Sequence, residues 1–548
     1  MSQVYSRYKI HLKTLVKKEG KGNMAMIRHI SKSKARRRCV GIAVICLALL
    51  ILTGMNSLSG KAWAAEEIQF APVNPAFEQY LNQTAYPNTM LAVPATVDGH
   101  ALGHIPPIFK LQPPPETATA HLAAALPAAF DLRTSSPAGV TPVRNQFQCG
   151  SCWTFGAMAS LESYIKYKGA TTADFSEADL NENHGFDYGV CMGGHWFMST
   201  AYMARWGGPV TEADVPYPSW FTMLPEGSSS VAEAGIPRAA EATPGAANAY
   251  RVQNVYWLPQ QAKPLSAEDI TTLKTAIKAN GAVDVAYYAD STFYDSTNHS
   301  FYCSESGTVV THEVAIVGWD DAYAKTKFKA PQPPGNGAFI VKNSWGTGWG
   351  ESGYFYMSYY DKSLEIGAQF YDAEPLTTYT RAYQYDPLGL TTSVGFTGGD
   401  RTMAWYSNIF MASANAPTIK AVGTYALSPN ASYTVEIWKN VAPGKPRSGT
   451  KVATKSGTLA KPGYNTILLT TPAVVAANKP FSVVVKMTNP GNNWPVPIES
   501  TASGYSSAAS SCPGQSFLSH DGTVWTDASG DPDPANNFNV CLKALAVK

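Results

Sequence analysis

The residues best suited to do chemistry stand in one short stretch, Gln146-Phe147-Gln148-Cys149-Gly150-Ser151-Cys152-Trp153. The run that follows, Thr154 to Leu161, reads as a buried helix continuing to about Lys168 and stopped by Gly169. Cys152 then falls on the first helical turn, where unsatisfied N–H groups and the positive end of the helix dipole favour a thiolate over a thiol. A nucleophilic cysteine needs that environment. A Cys-x-x-Cys pair also fits a zinc half-site or a redox pair. Zinc would want a second pair of Cys or His at similar spacing, which the sequence lacks. A redox motif belongs near the start of a βαβ unit, whereas proline-containing loop precedes Gln146. Two residues far downstream add to the set. His312 heads the apolar run Glu313–Trp319, and Asn343 ends another, Ala338–Lys342, before Ser344-Trp345-Gly346. Either alone is ordinary, a strand histidine or a turn asparagine.

Together, in this order, the three blocks resemble the papain-like cysteine peptidases, over roughly residues 126–375. The block around Cys152 matches that family's Cys-Gly-[Ser/Ala]-Cys-[Trp/Tyr] signature. The resemblance implies an α+β fold of two lobes, one helical and one β-barrel-like, meeting in a cleft with Cys152 on one wall and His312 on the other. It implies that Cys152 and His312 form an ion pair, which matters because a free thiol with a pKa near ~8.5 is only slightly ionised at neutral pH. Cys152 would attack a peptide carbonyl and His312 would protonate the leaving amine. Asn343 would accept a hydrogen bond from the other ring nitrogen, with Trp345 shielding the pair. The Gln146 amide and the Cys152 N–H would form the oxyanion hole. Gly193, Gly194, His195, Trp196, Ala286 and Glu313 would line the cleft, the last four bordering the pocket for the second residue on the acyl side. The resemblance also implies a Cys149–Cys191 disulfide.

The elements that must hold these residues are legible in outline. Ser176 and Asp179 form a capping-box-like helix start; a helix follows Trp196 and ends by Gly207-Gly208; another begins at Ser266-Ala267-Glu268-Asp269 and ends near Gly281. Strands are expected over Val283–Tyr288, Glu313–Trp319, Gly337–Lys342 and Gly353–Tyr359. The Cys-to-His and Cys-to-Asn separations, 160 and 191 residues, exceed the ~130–150 usual for the signature. The insertions fall in Phe221–Arg251 and Ala322–Gly337 and could border the cleft. Glu313, where small residues are usual, would favour basic or polar substrate side chains if it faces the pocket; a structural or solvent-facing role is the plainer reading.

At 548 residues the chain has room for two or three domains. It carries 42 Lys and Arg against 40 Asp and Glu; 12 of those bases and one acid lie in residues 1–38, leaving 30 against 39, a net of −9. No basic patch survives outside that leader, which disfavours nucleic acid. Arg36-Arg37-Arg38, an apolar run from Cys39 to Met55 and the small-x-small site Ala62-Trp63-Ala64 mark a signal peptide over 1–64, cleaved near Ala64. The remainder is then secreted, periplasmic or on the cell surface, and membrane contact requires an uncleaved leader. Residues 65–125, rich in Ala and Pro with one short helical candidate at Pro75–Asn82, read as a propeptide or a linker. The heptad-like helix of many family propeptides is not visible. The peptidase domain is expected over 126–378.

From about Thr380 the composition shifts to Thr, Ser, Val, Tyr and Gly. Short alternating runs at Ala404–Met411, Ile419–Leu427, Tyr433–Trp438, Asn465–Leu469, Phe481–Met487 and Phe538–Val547 predict an antiparallel β-sandwich over 379–548. With Tyr383-Gln384-Tyr385-Asp386-Pro387-Leu388-Gly389, this region resembles the lectin-like domain that follows papain-like domains in some bacterial secreted proteins. Trp405, Trp438, Trp494 and Trp525 could stack on sugars, though packing roles are commoner. Asp531-Pro532-Asp533 could hold calcium, the less favoured reading, so no metal or cofactor is expected. Cys512 and Cys541 could pair, and Cys303 is expected to be free. The function expected is a secreted cysteine endopeptidase acting on proteins or peptides, with a C-terminal module for cell-surface glycans or proteins. The alternatives are a surface adhesin with a retired peptidase domain and, more weakly, an amidase acting on cell-wall peptides.

Overall fold

The structure is a computed structural model that describes residues 67–84, 96–111, 126–169, 172–218, 250–260, 262–375, 378–533 and 536–547. The leader expected over 1–64 and most of the insertion 221–251 lie outside these residues. Among the described residues, no helix is long and apolar enough to cross a membrane.

Five helices are described: α1 (Pro75–Thr84), α2 (Cys152–Tyr167), α3 (Glu177–Asn183), α4 (Trp196–Ala204) and α5 (Ala267–Asn280). Helix α2 is buried on nearly every side, as its apolar composition requires, and Gly169 ends it at φ 83°. Ser176 caps α3 by accepting from the Asp179 N–H, and a full Ser266/Asp269 capping box starts α5. The barrel-like lobe is one eight-stranded sheet in the order Glu365–Ile366, Val283–Tyr287, His312–Asp320, Ala338–Lys342, Tyr354–Ser358, Ser300–Phe301, Tyr294–Asp295, with Ala129–Asp131 also on His312–Asp320. Register places the chemistry. Tyr287 lies opposite His312, Ala286 opposite Glu313, and Lys342 opposite Ala315, so Asn343 emerges at the end of the strand beside the histidine strand.

The C-terminal part is a sandwich, as the alternation predicts. One sheet runs Thr450–Leu459, Ala431–Lys439, Pro480–Thr488, Met403–Met411, Ser516–Ser519, Thr526–Asp527. Its inward residues Val435, Ile437, Val483 and Val485 pack against Val422, Ile467 and Ala544 of the facing sheet. That facing sheet holds a departure from the expected organisation. Its order is Ala368–Pro375, Tyr250–Trp257, Gly463–Val474, Thr418–Ala426, Leu542–Val547, Arg381–Tyr383, so two strands that precede the expected border at 378 extend it. Trp257, Phe370, Tyr425 and Tyr464 share one core across that border. The N-terminal segment is built in as well: Ile68–Phe70 pairs with Thr392–Phe396, and Phe77 of α1 meets Tyr505 edge-on at 5.6 Å.

Cysteine pairing follows the expectation in one place and departs from it in another. Cys149 and Cys191 are bonded, and Cys303 is free and buried. Cys512 does not pair with Cys541, which is a free thiol. Cys541 breaks the expected strand Phe538–Val547 into Phe538–Val540 and Leu542–Val547 and turns its side chain into the core beside Asp386 and Tyr425. The four tryptophans are all half-buried. Arg447 lies over Trp405 at 4.8 Å, Trp438 donates to Glu436 at 2.8 Å, and Trp525 packs beside Phe517. The insertion 322–337 packs Tyr323 and Phe328 against Tyr302 on the β lobe.

One buried ion pair ties the tail to the domain junction. Lys543 Nζ lies 2.7 Å from Asp386 Oδ2, and both side chains are at most 1% exposed. Asp386→Ala leaves that ammonium buried without its partner and should destabilise the protein by about 3–5 kcal/mol. Urea denaturation of the two proteins side by side measures this.

Candidate active site

Gln146, Cys152, His312 and Asn343 converge between the lobes, each nearly or completely shielded from solvent. His312 Nε2 meets Asn343 Oδ1 at 2.8 Å, and Trp345 stacks on the imidazole at 4.7 Å. The asparagine therefore accepts from Nε2–H, which leaves Nδ1 as the nitrogen free for proton transfer. That Nδ1 is buried with no hydrogen-bond partner. Gln146 is held by Ser344, whose hydroxyl donates to Gln146 Oε1 at 2.6 Å. Its Nε2 is thereby aimed into the cleft.

The cleft is filled by the chain's own residues 96–111. Gln146 Nε2 donates to the Ala101 carbonyl at 2.8 Å and to the Cys149 carbonyl at 2.9 Å. Gly194 donates to the Gly103 carbonyl at 2.9 Å and accepts from the Ile105 N–H at 3.0 Å. His100 stacks on the second face of Trp345, at 4.7 Å, and His104 stacks on Trp196 at 5.3 Å. Cys152 Sγ accepts the Glu313 N–H at 3.3 Å and is also hydrogen-bonded by the Gly103 N–H. The segment thus presents an amide N–H to the sulfur rather than a carbonyl carbon. Gly103 fits because it has no side chain: a Cβ there would lie 2.1 Å from the Gly150 carbonyl oxygen.

This filling changes the electrostatics expected from residue types. Burial pushes the Cys152 thiol up to about 12, partly offset by the Glu313 and Gly103 N–H groups. Burial also lowers His312 to about 4, against the Asn343 hydrogen bond that raises it. In the closed cleft both shifts favour the neutral forms. The closed cleft thus works against the ion pair expected for Cys152 and His312, because the segment excludes the water that would solvate it.

Of the other residues expected at the cleft, Gly194 supplies the backbone rung above, Gly193 lies against the Gly103 carbonyl, and Trp196 carries the His104 ring. Ala286 pairs with Glu313 and packs in the same cluster as Trp196 and Ile105. Glu313 is fully buried and faces His104, with Oε1 2.6 Å from Nδ1. His195 is the exception. It is extended, so its side chain points opposite to the Gly194 rung. It caps α4 through the Phe197 N–H and stacks on Tyr505 at 5.7 Å, away from the cleft. Two residues were missed in the sequence, Ser344 and Asp284. The signal for the second was available: Asp284 is the one charge in the apolar run Ala282–Ala289.

The profile of the papain family cysteine proteases matches residues 126–372, and that of the Lectin like domain matches residues 382–546. The gut-specific cysteine proteinase of Caenorhabditis elegans is 31% identical over 247 residues, 42% of this chain and 68% of that protein. This chain belongs to the papain family of cysteine proteases. The cysteine endopeptidase Rep1 of Oryza sativa subsp. japonica is 31% identical over 242 residues, 44% of this chain and 56% of the relative. The chain spans about half the length of the plant relatives it matches. The crystal structure of the cysteine protease and lectin-like domains of Cwp84, a surface layer associated protein of Clostridium difficile, superposes with a TM-score of 0.69 at 22% identity, covering 88% of this chain and 98% of that one. The papain-family lobes and the sandwich behind them are thus a fold this chain shares with that structure over 88% of its length.

Within this papain-family site, Gln146→Ala should lower kcat by roughly 10²–10³-fold with little change in KM, the usual loss for one oxyanion donor. Steady-state kinetics on protein cut free of residues up to 125 checks it. Unchanged kinetics there would mean that Gln146 serves only to seat the 96–111 segment.

Proposed function

We propose that the protein is a cysteine endopeptidase made as a latent precursor, in which Cys152 is the nucleophile, His312 the proton carrier, Asn343 its orienting partner and Gln146 the oxyanion donor. The observation that carries this reading is the 2.8 Å contact from Gln146 Nε2 to the Ala101 carbonyl, beside the His312–Asn343 pair. A carbonyl oxygen of the chain itself occupies the place where a substrate carbonyl would develop negative charge. Residues 65–125 act as the propeptide, with 96–111 as the part that closes the cleft. Once the segment leaves, water returns, Cys152 and His312 can exchange a proton, and the thiolate attacks a peptide carbonyl.

Export belongs to the same proposal. The basic-apolar-small pattern of residues 1–64, the Cys149–Cys191 disulfide and the surface-layer association of Cwp84 support a protein that works outside the cytoplasm, with cleavage near Ala64. The lectin-like domain would hold the enzyme near cell-surface glycans or proteins. An adhesin with a retired peptidase domain fits less well, because all four residues of the site are kept and Asn343 still holds His312.

The test compares the full-length protein with protein from which residues up to 125 have been removed, using a dipeptidyl coumarylamide under reducing conditions. Hydrolysis by the second alone, blocked by an epoxide thiol trap, supports the proposal. No hydrolysis and no labelling of Cys152 would leave the adhesin reading in place.

A further inference from the structure

Behind the cleft, Asp284 and Glu313 stand on adjacent strands and share one face of the sheet, Ala286 being opposite Glu313, and burial together with the charge of Asp284 pushes the Glu313 carboxyl up. Both side chains are fully buried, and neither Asp284 oxygen nor Glu313 Oε2 has a hydrogen-bond partner. Room for this aspartate is built into the central helix: a Cβ at Gly156, one turn after Cys152, would sit 2.2 Å from Asp284 Oδ1. A glycine inside a helix costs roughly 1 kcal/mol against alanine, so its presence here marks a space that must stay open. On the cleft side, Glu313 Oε1 meets His104 Nδ1 at 2.6 Å, while Trp196 covers the ring. His104 belongs to the segment that must leave. When it does, Glu313 and Trp196 line an empty pocket beside the Gly194 rung, with Asp284 behind. Lys263, whose charge reaches His104, is paired with Glu365.

We infer that this pocket takes a basic side chain, Lys or Arg, of the substrate residue next to the one at the scissile bond, with Glu313 as its counter-charge and Asp284 as the positioning residue that holds Glu313 toward the cleft. This rests on the peptidase reading above and deepens it. Two adjacent buried carboxyls cannot both ionise readily, and they share a proton and retain one negative charge for a bound cation. Trp196 adds a ring face over which a cation or guanidinium can lie.

The experiment uses the processed protein and three coumarylamides with arginine at the scissile position and Lys, Arg or Leu before it. The expected kcat/KM ratio of Lys or Arg over Leu is roughly 10-fold or more, and Glu313→Gln should reduce it at least 10-fold. Glu313→Asp should keep part of the preference. Asp284→Asn should shrink the ratio through the KM of the basic substrates alone, whereas a merely structural role would slow all three alike. A ratio at or below one, or a ratio that Glu313→Gln leaves unchanged, overturns the inference while the peptidase reading stands. Absence of hydrolysis of all three, with Cys152 unlabelled by the epoxide, overturns both. Where Glu313→Gln does not fold, the wild-type ratio and Glu313→Asp decide.

Discussion

Cys152→Ser in the processed protein should lower peptide hydrolysis by roughly 10⁴–10⁶-fold, the scale on which removing a nucleophile leaves only the binding and oxyanion contributions. The serine is nearly isosteric and keeps the N–H bond that Sγ receives from Glu313. Folding and the Cys149–Cys191 bond should therefore be unchanged, and the loss is chemical. A hydroxyl at this position does not ionise at neutral pH, and His312 cannot deprotonate it efficiently without the geometry of a serine hydrolase. Two measurements separate this from a folding defect. Thermal unfolding of the variant should match the parent within about 0.5 kcal/mol, and the epoxide trap should label the parent at residue 152 and leave the variant unlabelled. Turnover that survived the substitution would remove Cys152 from the mechanism, and with it the assignment of His312 and Asn343.

What the sequence disclosed and what it hid divide along a physical line. Local rules exposed the helix beginning at Cys152, the helix starts at Ser176 and Ser266, and the alternating strands around Val435 and Val483, because each is set by neighbours a few residues away. The strand Thr450–Leu459 was not visible. It is an edge strand of Thr, Lys and Ser with few apolar residues, so it carries no alternation to read. The two strands that join the peptidase part to the sandwich were missed for a different reason: pairing between residues 250–257 and 463–465 is set by packing across more than 200 positions. Cys512 and Cys541 were judged by count and position, whereas which thiols come within bonding distance is set by tertiary packing.

The site shows the same division. Gln146, Cys152, His312 and Asn343 were readable because chemistry fixes their types and the family resemblance fixes their order. His195 was misplaced because one step of backbone reverses the side of an extended chain on which a residue points. The pull of the closed cleft toward neutral Cys152 and His312 was out of reach of residue types altogether. It depends on which part of the chain lies over them, and that in turn depends on one glycine.

Gly103→Ala in the full-length precursor should open the cleft. The added Cβ would lie 2.1 Å from the Gly150 carbonyl oxygen and 2.8 Å from its Cα, all backbone that cannot swing aside. Overpacking of this kind costs about 1–3 kcal/mol or more, so the open form should rise roughly 10–100-fold. The same step detaches the Gly103 N–H from Sγ and loosens the rung to Gly194. Water then reaches the sulfur, and the burial that pushed the thiol up to about 12 is relieved. Two readouts should move together: iodoacetamide labelling of Cys152 at pH 7 should accelerate, and uncut precursor should begin to hydrolyse a dipeptidyl reporter. Lys110→Ala, an exposed change on the same segment, should move neither. If Gly103→Ala left the thiol as unreactive as in the parent, closure would have to come from elsewhere in the chain, and residues 96–111 would be a passenger in the cleft and not its lock.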